Sequence, residues 1–211
     1  MARQPRKPPG NATGRRARGD SVEPVGVRII GGQFRGRKLL YSGDFRTRPM
    51  KDRVREALFN RLGHTPTGKL AIDLFAGTGA LGLEAISRGA VRALFIEQHV
   101  PTARAIRASA ATFGAEDLIE VVSADTFFWY RRHPELPTIP WLVFCSPPYD
   151  FYVDRADDML EMLGGLITAA PVDSAFVVES DERFDPGRLP QAEQWDTRAY
   201  PPAVVAIYWK Q

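Results

Sequence analysis

Leu70-Ala-Ile-Asp-Leu-Phe75 is an apolar run carrying one carboxylate, Asp73, and Gly77-Thr-Gly-Ala-Leu-Gly82 follows it at once. Glycines in that pattern let a backbone turn tightly and approach a ligand, and a helix opening there offers free N–H groups. The pattern alone also serves nicotinamide cofactors. Asp73 shifts the balance, because a carboxylate beside the loop suits a cationic ligand better than a pyrophosphate. Glu97 closes the next apolar run, where a carboxylate can accept from ribose hydroxyls, and Asp125 follows the third, where one can accept from an adenine amine or cap a helix. Downstream stands Ser146-Pro-Pro-Tyr149. Prolines withdraw N–H groups and leave carbonyls that only accept. The Ser146 hydroxyl and the Pro147 carbonyl could therefore hold the two hydrogens of a planar amine while Tyr149 stacks on its ring. Together the two loops predict methyl transfer from S-adenosylmethionine to an exocyclic amine of a nucleobase.

Such residues need a scaffold that gathers strand ends. Apolar runs at 70–75, 92–97, 118–123, 140–145 and 174–179 alternate with helical stretches near 80–88, 101–113 and 153–164, with a further short helix expected from Thr126. That alternation predicts a mostly parallel sheet with helices on both faces. Residues 194–199 and 203–209 leave no room for a helix between them, so across Pro201-Pro202 they form an antiparallel hairpin. The expected fold class is α/β, the seven-stranded Rossmann-like sheet of class I methyltransferases. Ahead of it, Val27–Ile30, a Gly31-Gly32 turn and Phe34–Tyr41 predict a small basic hairpin. Pro49 suits the first turn of a helix with the stripe Val54, Ala57, Leu58 and Leu62, ended by Gly63. The expected organisation is a disordered basic tail over 1–24, an RNA-docking hairpin and helix over 25–63, and a cofactor-binding catalytic domain over 64–211.

At 211 residues and 44% hydrophobic, the chain can bury one substantial core but not two catalytic domains. A single cysteine, Cys145, excludes an internal disulfide framework and fits a reducing cytoplasm. No run approaches the roughly 18 apolar residues needed to cross a bilayer. The three histidines are scattered and no metal-ligand spacing is visible, so neither membrane nor metal is expected. The formal charge of +3 is unevenly placed: residues 28–55 carry nine Lys/Arg against Asp44 and Asp52, while residues 56–211 carry thirteen basic and twenty-one acidic side chains. A basic quarter on an acidic body is the footprint of a polyanion binder.

Three blocks carry a family resemblance: Arg28-Ile-Ile-Gly-Gly-Gln-Phe-Arg-Gly-Arg-Lys38, Arg48-Pro-Met-Lys-Asp-Arg-Val-Arg-Glu-Ala-Leu-Phe-Asn60 and Asp73-Leu-Phe-Ala-Gly-Thr-Gly-Ala-Leu-Gly-Leu-Glu-Ala85. From about Arg28 to Lys210 the chain resembles the bacterial class I methyltransferases that modify the N2 amine of a guanine in 16S ribosomal RNA of the small subunit. The resemblance implies that Asp73, Phe75, Ala76, Gly77, Thr78, Gly79, Glu97 and Asp125 bind S-adenosylmethionine and that Ser146, Pro147, Pro148 and Tyr149 are catalytic. It also implies that Arg28, Arg35, Arg37, Lys38, Arg46, Arg48 and Arg53 dock small-subunit ribosomal RNA or the assembling 30S subunit. A monomer is expected. One departure stands out, since that family usually carries Asp where this chain has Ser146. Serine keeps an acceptor oxygen but loses the charge, and charge-assisted hydrogen bonds are roughly twice as strong as neutral ones. Ser-Pro-Pro-Tyr also resembles the loop of enzymes that methylate the cytosine N4 amine of DNA. Three alternatives therefore stay open: an amino methyltransferase acting on another nucleic acid, a catalytically impaired RNA-binding assembly factor, and a nicotinamide oxidoreductase that would leave the Ser146 loop unexplained.

Overall fold

Strand residues that alternate between two faces sort the core of this protein into two apolar layers. The computed structural model describes residues 23–41 and 49–211. Seven strands, β3 (Leu70–Asp73), β4 (Arg92–Ile96), β5 (Ile119–Val122), β6 (Trp141–Cys145), β7 (Ala175–Asp181), β8 (Asp196–Tyr200) and β9 (Ala203–Trp209), build one sheet in the order β5-β4-β3-β6-β7-β9-β8. On one face Ala71, Phe95, Leu142, Phe144, Val177 and Ile207 pack against α1 (Asp52–Leu62), α2 (Ala80–Ser87) and α3 (Val100–Phe113). On the other, Ile72, Ile96, Val143, Phe176 and Tyr208 pack against α4 (Thr126–Arg131) and α6 (Ala156–Ala169), which follows the short α5 (Phe151–Asp154).

β5, β4, β3, β6 and β7 pair with one another in parallel, whereas β9 runs antiparallel to both β7 and β8. The expected terminal hairpin and the seven-stranded class I arrangement are thus present. The chain moves outward from β3 through β4 to β5, then crosses back to place β6 on the other side of β3. That reversal opens a crevice beyond the carboxyl ends of β3 and β6, where ligands of open α/β sheets bind. No helix among the described residues is long and apolar enough to cross a membrane.

The N-terminal hairpin differs from expectation in its turn. β1 (Glu23–Arg28) and β2 (Lys38–Tyr41) pair antiparallel, but Gly31-Gly32 is not the reversal and Phe34–Arg37 lie outside the strand. The chain instead turns at 33–36, where Gly36 has a φ of 83°. The cause lies more than fifty residues away. Ile30 and Gly31 donate their N–H groups to the Glu84 carboxylate at 2.7 and 2.8 Å, and Phe34 donates to Ser87 Oγ at 2.9 Å. Gln33 donates to the Ser87 carbonyl at 2.9 Å. Helix α2 thereby takes the donors that a longer strand would have used in its ladder. A Cβ on Gly32 would stand 1.8 Å from the Ser87 carbonyl oxygen, so the loop lies flat on this helix.

Glu84 is fully buried and balanced by cations: Arg88 Nε lies 2.8 Å from it and the fully buried Arg55 lies 3.9 Å from it. Arg55 also donates to the Met50 and Arg28 carbonyls and to Asp52. Burial lowers its pKa from the usual guanidinium value, with Asp52 and then Glu84 opposing the shift. One of the nine basic residues of the 28–55 stretch is therefore held inside the fold and presents no charge to a partner. Helix α1 begins at Asp52, three residues after Pro49, and ends as expected at Gly63.

Candidate active site

Asp73 ends β3 and is buried. Its Oδ2 accepts from the Gly82 N–H at 3.2 Å, while Oδ1 has no hydrogen-bond partner. Burial pushes its pKa up from 3.8 to about 7, against the Gly82 hydrogen bond and reinforced by the charge of Glu97. A buried carboxyl with one empty oxygen at the base of a glycine loop is ready for a cationic partner.

The loop above it is shaped by its glycines. Gly77 and Gly79 have φ of 51° and 75°, the left-handed region that side chains disfavour, and Gly79 caps α2. A Cβ at Gly79 would meet Ile106 at 3.1 Å, and one at Gly82 would meet the Phe95 ring at 2.3 Å. The third glycine therefore serves close packing of α2 on β4. Ala76 and Thr78 are buried within the turn and Phe75 is half-buried beside it. Glu97, just beyond β4, accepts from the Gly77 N–H at 2.8 Å and the His99 N–H at 2.7 Å, tying the loops after β3 and β4 together.

Asp125 caps α4 by accepting from the Phe128 N–H at 2.8 Å, and its other oxygen lies 3.6 Å from Arg155. That Arg155 guanidinium sits 3.7 Å from the centroid of the Phe127 ring. Phe75, Phe127 and Phe151 form a cluster with centroids 5.9, 5.9 and 6.1 Å apart. The Phe75–Phe151 pair links the glycine-loop side of the crevice to the start of α5, two residues beyond Tyr149.

Ser146-Pro-Pro-Tyr149 follows β6, which lies beside β3 with Asp73 opposite Phe144. Pro147 is buried, Pro148 exposed, and Tyr149 half-buried. The Pro148 carbonyl accepts from the Phe151 N–H at 2.9 Å, and among the described residues nothing donates to the Pro147 carbonyl. Ser146 Oγ and the Tyr149 hydroxyl both donate to Glu179, the latter at 2.8 Å. Glu179 lies on β7, the strand next to β6, and is 5% exposed. It is absent from the predicted site, although it closes the apolar run 174–179 in the sequence, near the carboxyl end of β7. Arg155, Phe127 and Phe151 were absent too.

Of the residues expected to face RNA, Arg28, Arg35, Arg37, Lys38 and Arg53 are exposed, while Arg46 and Arg48 lie outside the described residues. So does most of the predicted 1–24 tail. Arg28 pairs with Asp52 at 3.3 Å, and Arg37 stacks over Phe113 and Phe34 at 5.4 and 5.8 Å. Among the described residues no cluster of His, Cys, Asp and Glu is arranged to hold a metal.

Residues 27–209 match a family model described as "Conserved hypothetical protein 95". "Ribosomal RNA small subunit methyltransferase D" of Escherichia coli K12 is 41% identical over 124 residues, a match spanning 58% of this chain and 60% of that relative, less than two thirds of its length. The solved structure of an Escherichia coli protein described as "Putative methyltransferase yhhF" superposes with a TM-score of 0.72 at 30% identity, covering 88% of this chain and 98% of the other. A Thermus thermophilus 16S rRNA N2 G1207 methyltransferase in complex with AdoMet and guanosine superposes at 0.67 and 18% identity, over 90% of this chain and 50% of that one, a likeness of fold alone.

Proposed function

Starting from a chain that belongs to the conserved hypothetical protein 95 family, we propose that it transfers a methyl group from S-adenosylmethionine to the N2 amine of a guanine in small-subunit ribosomal RNA. The observation that carries this reading is the pairing of the two loops on adjacent strands. A buried carboxyl with an empty oxygen ends β3, and an acceptor-only loop with an aromatic ring ends β6. The name of the Escherichia coli relative, a ribosomal RNA small subunit methyltransferase, supports the same substrate.

Asp73, the Gly77–Gly79 backbone, Glu97 and Asp125 are the residues that would hold the cofactor. The empty Asp73 Oδ1 fits a positive group, and Glu97 and Asp125 keep lone pairs beyond those their present donors use. When bound, S-adenosylmethionine supplies an electrophilic methyl group on a sulfonium. The amine of guanine is a poor nucleophile because its lone pair is delocalised into the ring. Ser146 Oγ and the Pro147 carbonyl accept its two hydrogens, favour a pyramidal nitrogen and direct the lone pair. Tyr149 stacks on the base once it has left its helix or loop. The gain comes from orientation and from dipoles fixed in advance. Arg28, Arg35, Arg37, Lys38 and Arg53, with Arg46 and Arg48, dock the phosphate backbone. The protein acts as a cytoplasmic monomer on this reading.

Tritiated S-adenosylmethionine offered with unmodified small subunits, free ribosomal RNA and duplex DNA in separate reactions tests it. Label recovered as N2-methylguanosine from the RNA is the expected result. Label on DNA or on another base reassigns the amine, and no label in any reaction refutes the proposal.

A further inference from the structure

Ser146 stands where a carboxylate would give the stronger acceptor, yet a carboxylate is present one strand away. Glu179 is almost fully buried at the carboxyl end of β7, and both of its oxygens are engaged from the Ser146 loop, one by Ser146 Oγ and the other by the Tyr149 hydroxyl. The register explains why this residue can reach. β6 and β7 are parallel neighbours with Cys145 opposite Val178, so Ser146, the first residue beyond β6, comes alongside Glu179, which is still in β7 and paired with Val205 of β9. We propose that Glu179 is the positioning and proton-accepting carboxylate of this active site, acting through Ser146, so that a Ser–Glu pair performs what a single aspartate would. The inference rests on the amino-methyltransferase reading above.

Its first effect is on Ser146. A hydroxyl that commits its hydrogen to a carboxylate can only accept from anything else, and the negative charge behind it strengthens that acceptance. Its second effect is on the proton. As the N–C bond forms and the C–S bond breaks, the sulfonium becomes a neutral thioether and the positive charge passes to the amine nitrogen. That nitrogen gives one hydrogen to Ser146 Oγ while Ser146 gives its own to Glu179, leaving methylated guanine, S-adenosylhomocysteine and a protonated Glu179 that returns its proton to water. Its third effect is on the base platform, because the Tyr149 hydroxyl bond to Glu179 fixes where that ring stands.

The other titratable groups around Glu179 do not compete for this role. Burial pushes the Tyr152 phenol well above its usual value and the Cys145 thiol up to about 12, so both stay neutral at working pH. Asp73, raised to about 7 by burial, stands at the end of β3, on the glycine-loop side of the crevice.

The test is Glu179→Gln, which keeps the size and removes the charge, assayed in single turnover at saturating S-adenosylmethionine. The expected result is a loss of about 100-fold in rate, with the RNA KM and the cofactor Kd within about twofold of wild type. Adding Ser146→Asp to Glu179→Gln is expected to restore the rate to within about tenfold of wild type, since it puts the charge back where the amine needs it. An unchanged rate in Glu179→Gln, or a loss that Ser146→Asp does not rescue, overturns the proposal. Independently of activity, the stability cycle of Ser146→Ala with Glu179→Gln is expected to show a coupling of about fivefold or more in the folding equilibrium constant, and an additive cycle overturns the pairing. Wild-type protein that binds cofactor but labels no RNA would instead remove the functional reading, and the pairing is then decided by the cycle alone.

Discussion

On the proposed reading, Asp73 makes cofactor affinity and fold stability respond to pH in opposite ways, and replacing it with asparagine separates the two. Its carboxyl is raised from 3.8 to about 7, chiefly by burial. Between those values the folded protein holds a proton that the unfolded chain has released. This group's contribution is therefore most favourable to the fold below about pH 4 and declines as pH rises to about 7, after which it is constant. About three units at 1.36 kcal/mol each amount to on the order of 4 kcal/mol of strain at pH 8. A cationic ligand prefers the ionised form, so binding at pH 6 must expel the proton. The expected Kd for S-adenosylmethionine falls about fivefold from pH 6 to pH 7, about tenfold from pH 6 to pH 8, and levels off above pH 8. Calorimetry in buffers of different ionisation heat should record close to one proton released per cofactor at pH 6 and almost none at pH 8. Asp73→Asn should bind cofactor weakly at every pH and release no proton. The same variant, without ligand at pH 8, should melt at least about 3 °C higher than wild type, because it no longer buries an uncompensated charge. A wild-type affinity that does not change between pH 6 and 8, without proton release, would refute the placement of Asp73 against a positive group.

Packing and charge elsewhere in the fold set three further outcomes. Gly82→Ala puts a methyl group 2.3 Å from the Phe95 ring and should destabilise the fold by about 1–3 kcal/mol in urea unfolding, with Phe95→Leu recovering part of the loss. Glu84→Gln removes the buried carboxylate between Arg55 and Arg88 and leaves Arg55 with Asp52 alone, and should lower stability by about 1–3 kcal/mol, seen as a drop in Tm. Neutralising Arg35, Arg37 and Lys38 together should weaken RNA binding and reduce its log–log salt slope by roughly 0.7–0.9 for each phosphate that is no longer neutralised, and an unchanged slope would take those side chains off the RNA surface.

How much of this was legible in the sequence depended on how local the cause was. β3, β6 and β7 read as buried parallel strands because Leu70–Phe75, Pro140–Cys145 and Ser174–Glu179 are nearly unbroken apolar runs. Gly77 and Gly79 were readable because their positive φ is a property of the residue itself. The Gly31-Gly32 turn was misread for the opposite reason: Glu84 and Ser87 decide the path of residues 30–34 from a different helix, and no local pattern announces it. Arg55 reads as surface charge in the sequence, because the Met50, Arg28, Asp52 and Glu84 groups that enclose it come together only in the fold. Glu179 gave the same signal as Asp73 and Glu97, a carboxylate closing an apolar strand. What the sequence could not supply was the register of β6 against β7, with Cys145 opposite Val178, without which Glu179 has no reason to meet Ser146.

The grip of Glu84 and Ser87 on residues 30–34 bears on how this protein can be divided. The helix that receives the hairpin at its far end is the one that starts in the cofactor loop, and Ile29, Leu39 and Leu58 share a single apolar layer with Leu83 and Phe144. Trimming the chain back to residue 64 would strip Glu84 of two backbone donors and bare the flank of α3 that β2 covers through Ser109 and Leu40. The hairpin and the glycine loop are thus seated at the two ends of one helix, and neither is a separable part.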